Sequence, residues 1–192
     1  MSLSKAASLL FAGLGLAACA VIGPRPAPTE LPPTALPAVA PAAWDAMYQN
    51  PVMGIALLYP PEYQVIEPQY LFDTYGFTLV DAEKNDVFGV DWRYQASPER
   101  LEAVVQQALQ APTAAGLQIQ RAEIKIKGLP ATALYGMPGM RSNTQIFLAA
   151  NGRLYHIIYE QDTLDDLGWM LLNGLSFIEA TKTLQSLNLP TP

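Results

Sequence analysis

A single cysteine, Cys19, and a single histidine, His156, stand in a chain of 192 residues. One cysteine excludes an intrachain disulfide, and one histidine leaves too few nitrogen and sulfur ligands for a zinc centre. Basic residues are scarce as well: 11 Lys and Arg face 17 Asp and Glu, for a net charge of −6. That balance argues against nucleic acid as a partner and against electrostatic docking on anionic lipid. No Gly-x-Ser-x-Gly turn presents a nucleophilic serine. The segment Gly136-Met137-Pro138-Gly139-Met140-Arg141 lacks the Lys-Ser/Thr ending of a phosphate-binding loop. No apolar run reaches the roughly 20 residues of a spanning helix, and no internal repeat is visible. The sequence thus carries no catalytic signature and predicts neither a cofactor nor a metal.

What is present begins at the N-terminus. Residues 1–5 are a polar start with one positive charge, and residues 6–18 are an apolar stretch of Ala, Leu, Gly and Phe11. This is the layout of an export signal. It closes on Leu16-Ala17-Ala18-Cys19, which resembles the lipobox of bacterial lipoproteins. The resemblance implies that residues 1–18 are removed and that the Cys19 thiol becomes a thioether carrying diacylglycerol. At about 0.8 kcal/mol per buried methylene, one acyl chain holds marginally and two anchor stably. The rival readings are an uncleaved signal anchor and a free cytoplasmic protein. Neither accounts for a cysteine directly after Leu-Ala-Ala. Ala20, where an Asp would retain a lipoprotein at an inner membrane, favours release to an outer one where two membranes exist.

From Pro24 to Pro41 prolines recur at positions 24, 26, 28, 32, 33, 37 and 41. Proline fixes φ and lacks the backbone donor, so neither a helix nor a central strand forms there. Extended polyproline II at about 3.1 Å per residue would hold a domain on the order of 50–60 Å off the bilayer. A proline-recognition ligand is the alternative, but flanking basic residues are sparse. The expected organisation is a signal peptide (1–18), lipidated Cys19 with a Pro/Ala-rich linker (19–42), one α/β domain (43–181) and a flexible tail (182–192). A domain of that length can bury a proper core.

Within the domain, Gly54-Ile55-Ala56-Leu57-Leu58-Tyr59 reads as a strand stopped by Pro60 and Pro61, and residues 63–66 as a short extended piece. Phe77-Thr78-Leu79-Val80 and residues 87–92 flank a polar turn, a hairpin pattern. Ser97 as N-cap and Pro98 in the first turn open a helix with an apolar stripe of Leu101, Val104, Val105, Ala108 and Leu109, which Pro112 helps to end. Strands follow over 117–127, 131–135 and 144–150, with a phase slip near residues 121–123 that predicts a bulge or two short strands. Asn151-Gly152 is a two-residue type I′ turn pairing Ala150 with Arg153 and Phe147 with His156. Both faces of that hairpin are largely apolar, so it should be covered on both sides. Asp162 or Thr163 can cap a second helix, whose buried stripe holds Leu164, Leu167, Gly168, Leu171, Leu172 and Leu175. Asn173-Gly174 stops it, and residues 176–178 close the domain as an extended piece.

This order of elements, with certain residues, resembles the PsbP-like fold, an antiparallel α/β/α sandwich of the extrinsic photosystem II subunit family that many small bacterial lipoproteins share. Gly54-Ile55-Ala56-Leu57-Leu58-Tyr59-Pro60 followed by Tyr63 is similar to the family's opening strand, Gly128-Leu129-Pro130-Ala131 to its central turn, and the last helix with Ser176-Phe177 to its closing segment. Tyr63 stands for the usual Trp and Glu62 for a neighbouring Gly. The resemblance implies an α+β fold. No functional residue of the family carries over to a matching position.

The candidate residues are few. His156, on a strand opposite Phe147, is expected to be a packed sheet residue. Asp81 to Asp86 superficially matches a calcium loop, but Asp86 stands where Gly is needed and Trp92 where Glu is needed. A solvated hairpin turn is the expectation. Met137, Met140 and Arg141, on the Gly/Pro-rich loop, form a candidate partner contact, because Met and Arg are enriched at interfaces. The expectation is a lipid-anchored extracytoplasmic protein that binds or assists an envelope protein without catalysis. The alternatives are an enzyme or enzyme accessory with a pocket around His156, and a small-ligand carrier.

Overall fold

The Asn151-Gly152 turn joins the two central strands of the molecule. In the computed structural model, which describes residues 44–71, 74–93 and 96–180, both turn residues take positive φ, 49° and 72°. That is the geometry of the predicted type I′ turn. Strands β8 (Asn143–Ala150) and β9 (Arg153–Tyr159) pair in the register read from the sequence, with Phe147 opposite His156 and Ile146 opposite Ile157. The predicted signal peptide, Cys19, the linker and the tail of 182–192 lie outside the described residues. Among the described residues no helix is long and apolar enough to cross a membrane.

Around this hairpin is an antiparallel sheet of seven strands in the order β3-β4-β5-β9-β8-β7-β6. Its other members are β3 (Gln64–Leu71), β4 (Thr74–Val80), β5 (Asp86–Trp92), β6 (Gln120–Ile126) and β7 (Leu129–Met137). A second, three-stranded sheet holds β1 (Ala46–Asn50), β2 (Ile55–Tyr59) and β10 (Leu175–Phe177), with β2 in the middle. Two helices complete the α+β fold, α1 (Leu101–Ala114) and α2 (Asp166–Gly174).

Both faces of the large sheet are covered, as the two-sided hairpin requires. On one face Ile146, Leu148, Tyr155, Ile157 and Tyr159 pack with Ile55 and Leu57 of the small sheet and with Trp169, Leu171 and Leu172 of α2. This cover is a helix together with a small sheet, where the sequence reading had a helix alone. On the other face Val104 and Val105 of α1 press on Leu134, Met137, Phe147 and Leu154. Burying each such side chain contributes about 1.5–3 kcal/mol, which is why the amphipathic stripe determines where α1 lies.

Several local expectations change. The helix begins after a single 3-10 turn, Pro98–Arg100, and Ser97 makes no side-chain capping bond. Pro112 lies inside α1, which continues to Ala114. Strand β3 runs past Ile66 to Leu71. Pro68 sits where its register with β4 slips, a break that an edge strand tolerates because its outer donors are unused. The phase slip near residues 121–123 is no bulge, for β6 pairs with β7 without interruption from Gln120 to Ile126. The slip arises because Ile119 packs under α1 while Ile124 and Ile126 pack on the opposite face. The real irregularity is in β7, between Leu134 and Met137, where Gly136 has φ 72°.

The cap of α2 is Asp165, not Asp162 or Thr163. Its backbone is extended, and its Oδ1 accepts the Gly168 N–H at 2.9 Å and the Tyr159 hydroxyl at 2.5 Å. Asp165→Ala is expected to cost about 1–2 kcal/mol, read as a lower urea midpoint with an unchanged slope. An unchanged midpoint would show that the cap contributes nothing.

Candidate functional site

Alternation along a strand sends every second side chain to the same face. In β5 this separates the buried Phe88, Val90 and Trp92 from Gly89, Asp91 and, just past the strand, Arg93. In β9 it places His156 on the α1 face, and in β8 it places Gln145 and Phe147 there. Pairing then sets these residues side by side. Gly76, Asp91, His156, Phe147, Thr132 and Glu123 are successive register partners across six strands. Thr132 Oγ1 donates to Glu123 at 3.0 Å, and Glu123 meets Arg121, which also holds Glu102 of α1 through two bonds of 2.8 Å.

The ring of His156 stacks on Phe147, centroids 4.5 Å apart and planes within 6°. Its Nε2 lies 3.0 Å from Oε1 of Gln145, whose amide donates in turn to Asn143 at 3.4 Å. That orientation makes Nε2 the protonated nitrogen. Nδ1 is 3.9 Å from Asp91, beyond hydrogen-bond reach. The side chain retains only 12% of its exposure. Burial first, and the Arg93 guanidinium second, push its pKa down to about 3, so the ring is neutral at pH 7.

Beside the ring a cavity of about 350 Å³ opens between the sheet and α1. Its lining is polar at Arg93, Gln107, Gln145 and His156 and apolar at Ala108, Pro112, Met137, Pro138 and Phe147. Pro112 has no N–H, so the Ala108 carbonyl one turn earlier loses its usual helical donor. Nε of Arg93 is buried with no hydrogen-bond partner. An orphaned buried donor costs on the order of 1–3 kcal/mol.

The predicted partner loop is divided. Met137 is 3% exposed and belongs to the core beneath α1, a correction to its reading as a contact residue. The cause is that β7 continues to Met137, and its irregularity at Gly136 shifts the alternation by one residue, from the face of Ala131, Ala133 and Tyr135 to the α1 face. Met140 is fully exposed. Arg141 borders a second, smaller cavity of about 230 Å³, which it shares with Asp81, Asp86 and Glu160. Burial, then Asp86, raises the pKa of Glu160, while Arg141 opposes the shift. Asp81 is occupied in closing its turn, where it accepts the N–H groups of Glu83 and Asn85 and the Asn85 amide. Among the described residues no cluster of His, Cys, Asp or Glu could hold a metal ion.

No family model matches this chain, and no curated protein matches it. Among solved structures it is similar to the solution structure of cyanobacterial PsbP (CyanoP) from Synechocystis sp. PCC 6803. Identity is 13% over 69% of this chain and 91% of that one, with a TM-score of 0.44. Sequence reasoning had singled out His156 but missed Arg93, Gln145, Asp91 and Gln107. One signal was present for Gln145, which with His156 is polar on a largely apolar hairpin face. Nothing local announces that β5 lies beside β9.

Proposed function

We propose that this chain is a lipid-anchored, extracytoplasmic binding or accessory protein of a bacterial cell envelope, tethered by acylated Cys19 and working without catalysis. The observation that carries the non-catalytic reading is the lining of the cavity at His156. Among the described residues it offers a guanidinium, two amides and a neutral imidazole, with no hydroxyl, thiol or amine that the imidazole would activate as a nucleophile. An imidazole with its pKa near 3 is also a weak base at pH 7. The anchor rests on Leu16-Ala17-Ala18-Cys19 at the end of the export signal. Cys19→Ser is expected to abolish metabolic labelling with a radiolabelled fatty acid and to leave the leader unprocessed. A variant that keeps its lipid label would sink the lipoprotein reading. Met140 and Arg141 are the exposed members of the loop proposed as a contact for an envelope protein, and crosslinking from intact cells identifies that partner.

A further inference from the structure

We infer that the cavity beneath α1 is a recognition site for a compact organic monocarboxylate, its carboxylate on Arg93 and its apolar body against Pro112, Met137 and Phe147. This rests on the reading of the chain as a binding module and names the class of ligand for that site.

Three observations converge. Arg93 lines the cavity and takes part in none of the ion pairs among the described residues, and its Nε, sealed from solvent, has no hydrogen-bond partner among them. A guanidinium edge presents parallel N–H donors matched to the two oxygens of a carboxylate. The cavity volume, about 350 Å³, is at the small end of ligand pockets, too small for a peptide or a lipid chain. Finally, five of the described lining residues, Ala108, Pro112, Met137, Pro138 and Phe147, are apolar, so a ligand needs a hydrocarbon body as well as an anionic head.

The neighbours set the charge at one. His156 is neutral and adds no second cation, while Asp91, 3.9 Å from its Nδ1, is not among the described lining residues. A phosphate dianion would bring two charges to one guanidinium on a chain of net charge −6. The Gln107 and Gln145 amides are neutral and serve to orient. His156 stacked on Phe147 supplies a flat, rigid flank suited to a planar or compact body.

The test titrates the purified full-length protein with benzoate, phenylacetate, cyclohexanecarboxylate and hexanoate, followed by calorimetry and by NMR of the His156 ring and Met137 methyl. Benzamide and inorganic phosphate are the comparison probes. At least one carboxylate is expected to bind and to shift both signals, at least about tenfold tighter than benzamide or phosphate. Arg93→Gln should weaken that binding by about tenfold or more. Ala108→Leu, which fills the cavity without changing charge, should block it, and the NMR spectrum of each variant verifies its fold. The site is overturned when no carboxylate binds, when amide or phosphate binds as well, or when both folded variants bind as the parent does. Envelope crosslinks that persist in Arg93→Gln alongside such a result would remove the anion site alone. Chemical turnover of a bound carboxylate would remove the non-catalytic reading and leave the site.

Discussion

Phe147→Ala is expected to destabilise the domain by about 3–5 kcal/mol, the range for emptying an aromatic position in a packed core. Phe147 is 1% exposed and meets Val104 and Val105 of α1 together with Leu134, Met137 and Leu154. It is also the surface on which the His156 ring lies. Truncation therefore removes the floor of the α1 interface and one wall of the cavity in a single step. The opposite core, built on Tyr155, Ile157 and the small sheet, keeps its contacts, so α1 should lose amide-exchange protection before β8 and β9 do. Urea unfolding with an intact slope and a lower midpoint is the expected record, with Phe147→Leu falling between parent and Ala. A loss below about 1 kcal/mol for Phe147→Ala would mean that α1 is not held by this cluster.

The second large effect appears on acidification. In the folded chain the pKa of His156 is depressed to about 3 by burial and then by Arg93, against about 6.5 in an unfolded chain. The unfolded state therefore takes up the proton first. The contribution of the neutral ring to stability is complete above about pH 6.5 and declines as the pH falls toward 3. Between pH 6.5 and 4.5 the expected loss is about 2–3 kcal/mol, at no more than about 1.4 kcal/mol per pH unit. Asp91 near Nδ1 works against part of it. Carboxyls held low by partners act further down the scale: Glu102, at about 2 through Arg121 and Gln106, and Asp81, through Asn85. Glu160, raised by burial, has the opposite sign, because its protonation on acidification favours the folded state. The difference between parent and His156→Gln, measured by urea unfolding at each pH, isolates the imidazole. Parallel losses in the two proteins would show that His156 is already solvated in the folded state.

The expectations that held share a short range. The register of β8 with β9 follows from a two-residue turn, the stripe of α1 from spacing along one helix, and the β4–β5 hairpin from two apolar runs around Asp81 and Asn85. In each case the deciding residues are close together in the chain. Those that changed depended on which side chains meet, near or far along the chain. Asp165 became the cap of α2 because Tyr159 donates to the same carboxylate that receives the Gly168 N–H. The loop after β1 is held by Asn50 Oδ1, which accepts the Val52 and Met53 N–H groups, and by Tyr155, whose hydroxyl donates to the Met53 carbonyl at 2.6 Å. Nothing in residues 50–54 announces that Tyr155 will be there.

The candidate site divides in the same way. His156 opposite Phe147, on a face turned toward a covering layer, was legible from the Asn151-Gly152 turn. The partnership with Asp91 and Arg93 was not, since it requires β5 to lie against β9 with Asp91 opposite His156. Met137 was misread because the strand expected to end at residue 135 runs on to Met137, past an irregularity at Gly136 that the local pattern reads as the start of a loop.

By itself, then, the sequence determined the antiparallel α+β class, the two apolar faces of the central hairpin and the amphipathic helix. These rest on backbone dihedrals and on periods of 2 and 3.6 residues, which are properties of short segments. Only the tertiary structure decided which strands are neighbours, which layer covers each face and which polar groups share the cavity beneath α1. Those choices come from burying both faces of one sheet at once. Packing and loop closure select that pairing over the whole chain, and no single segment encodes it.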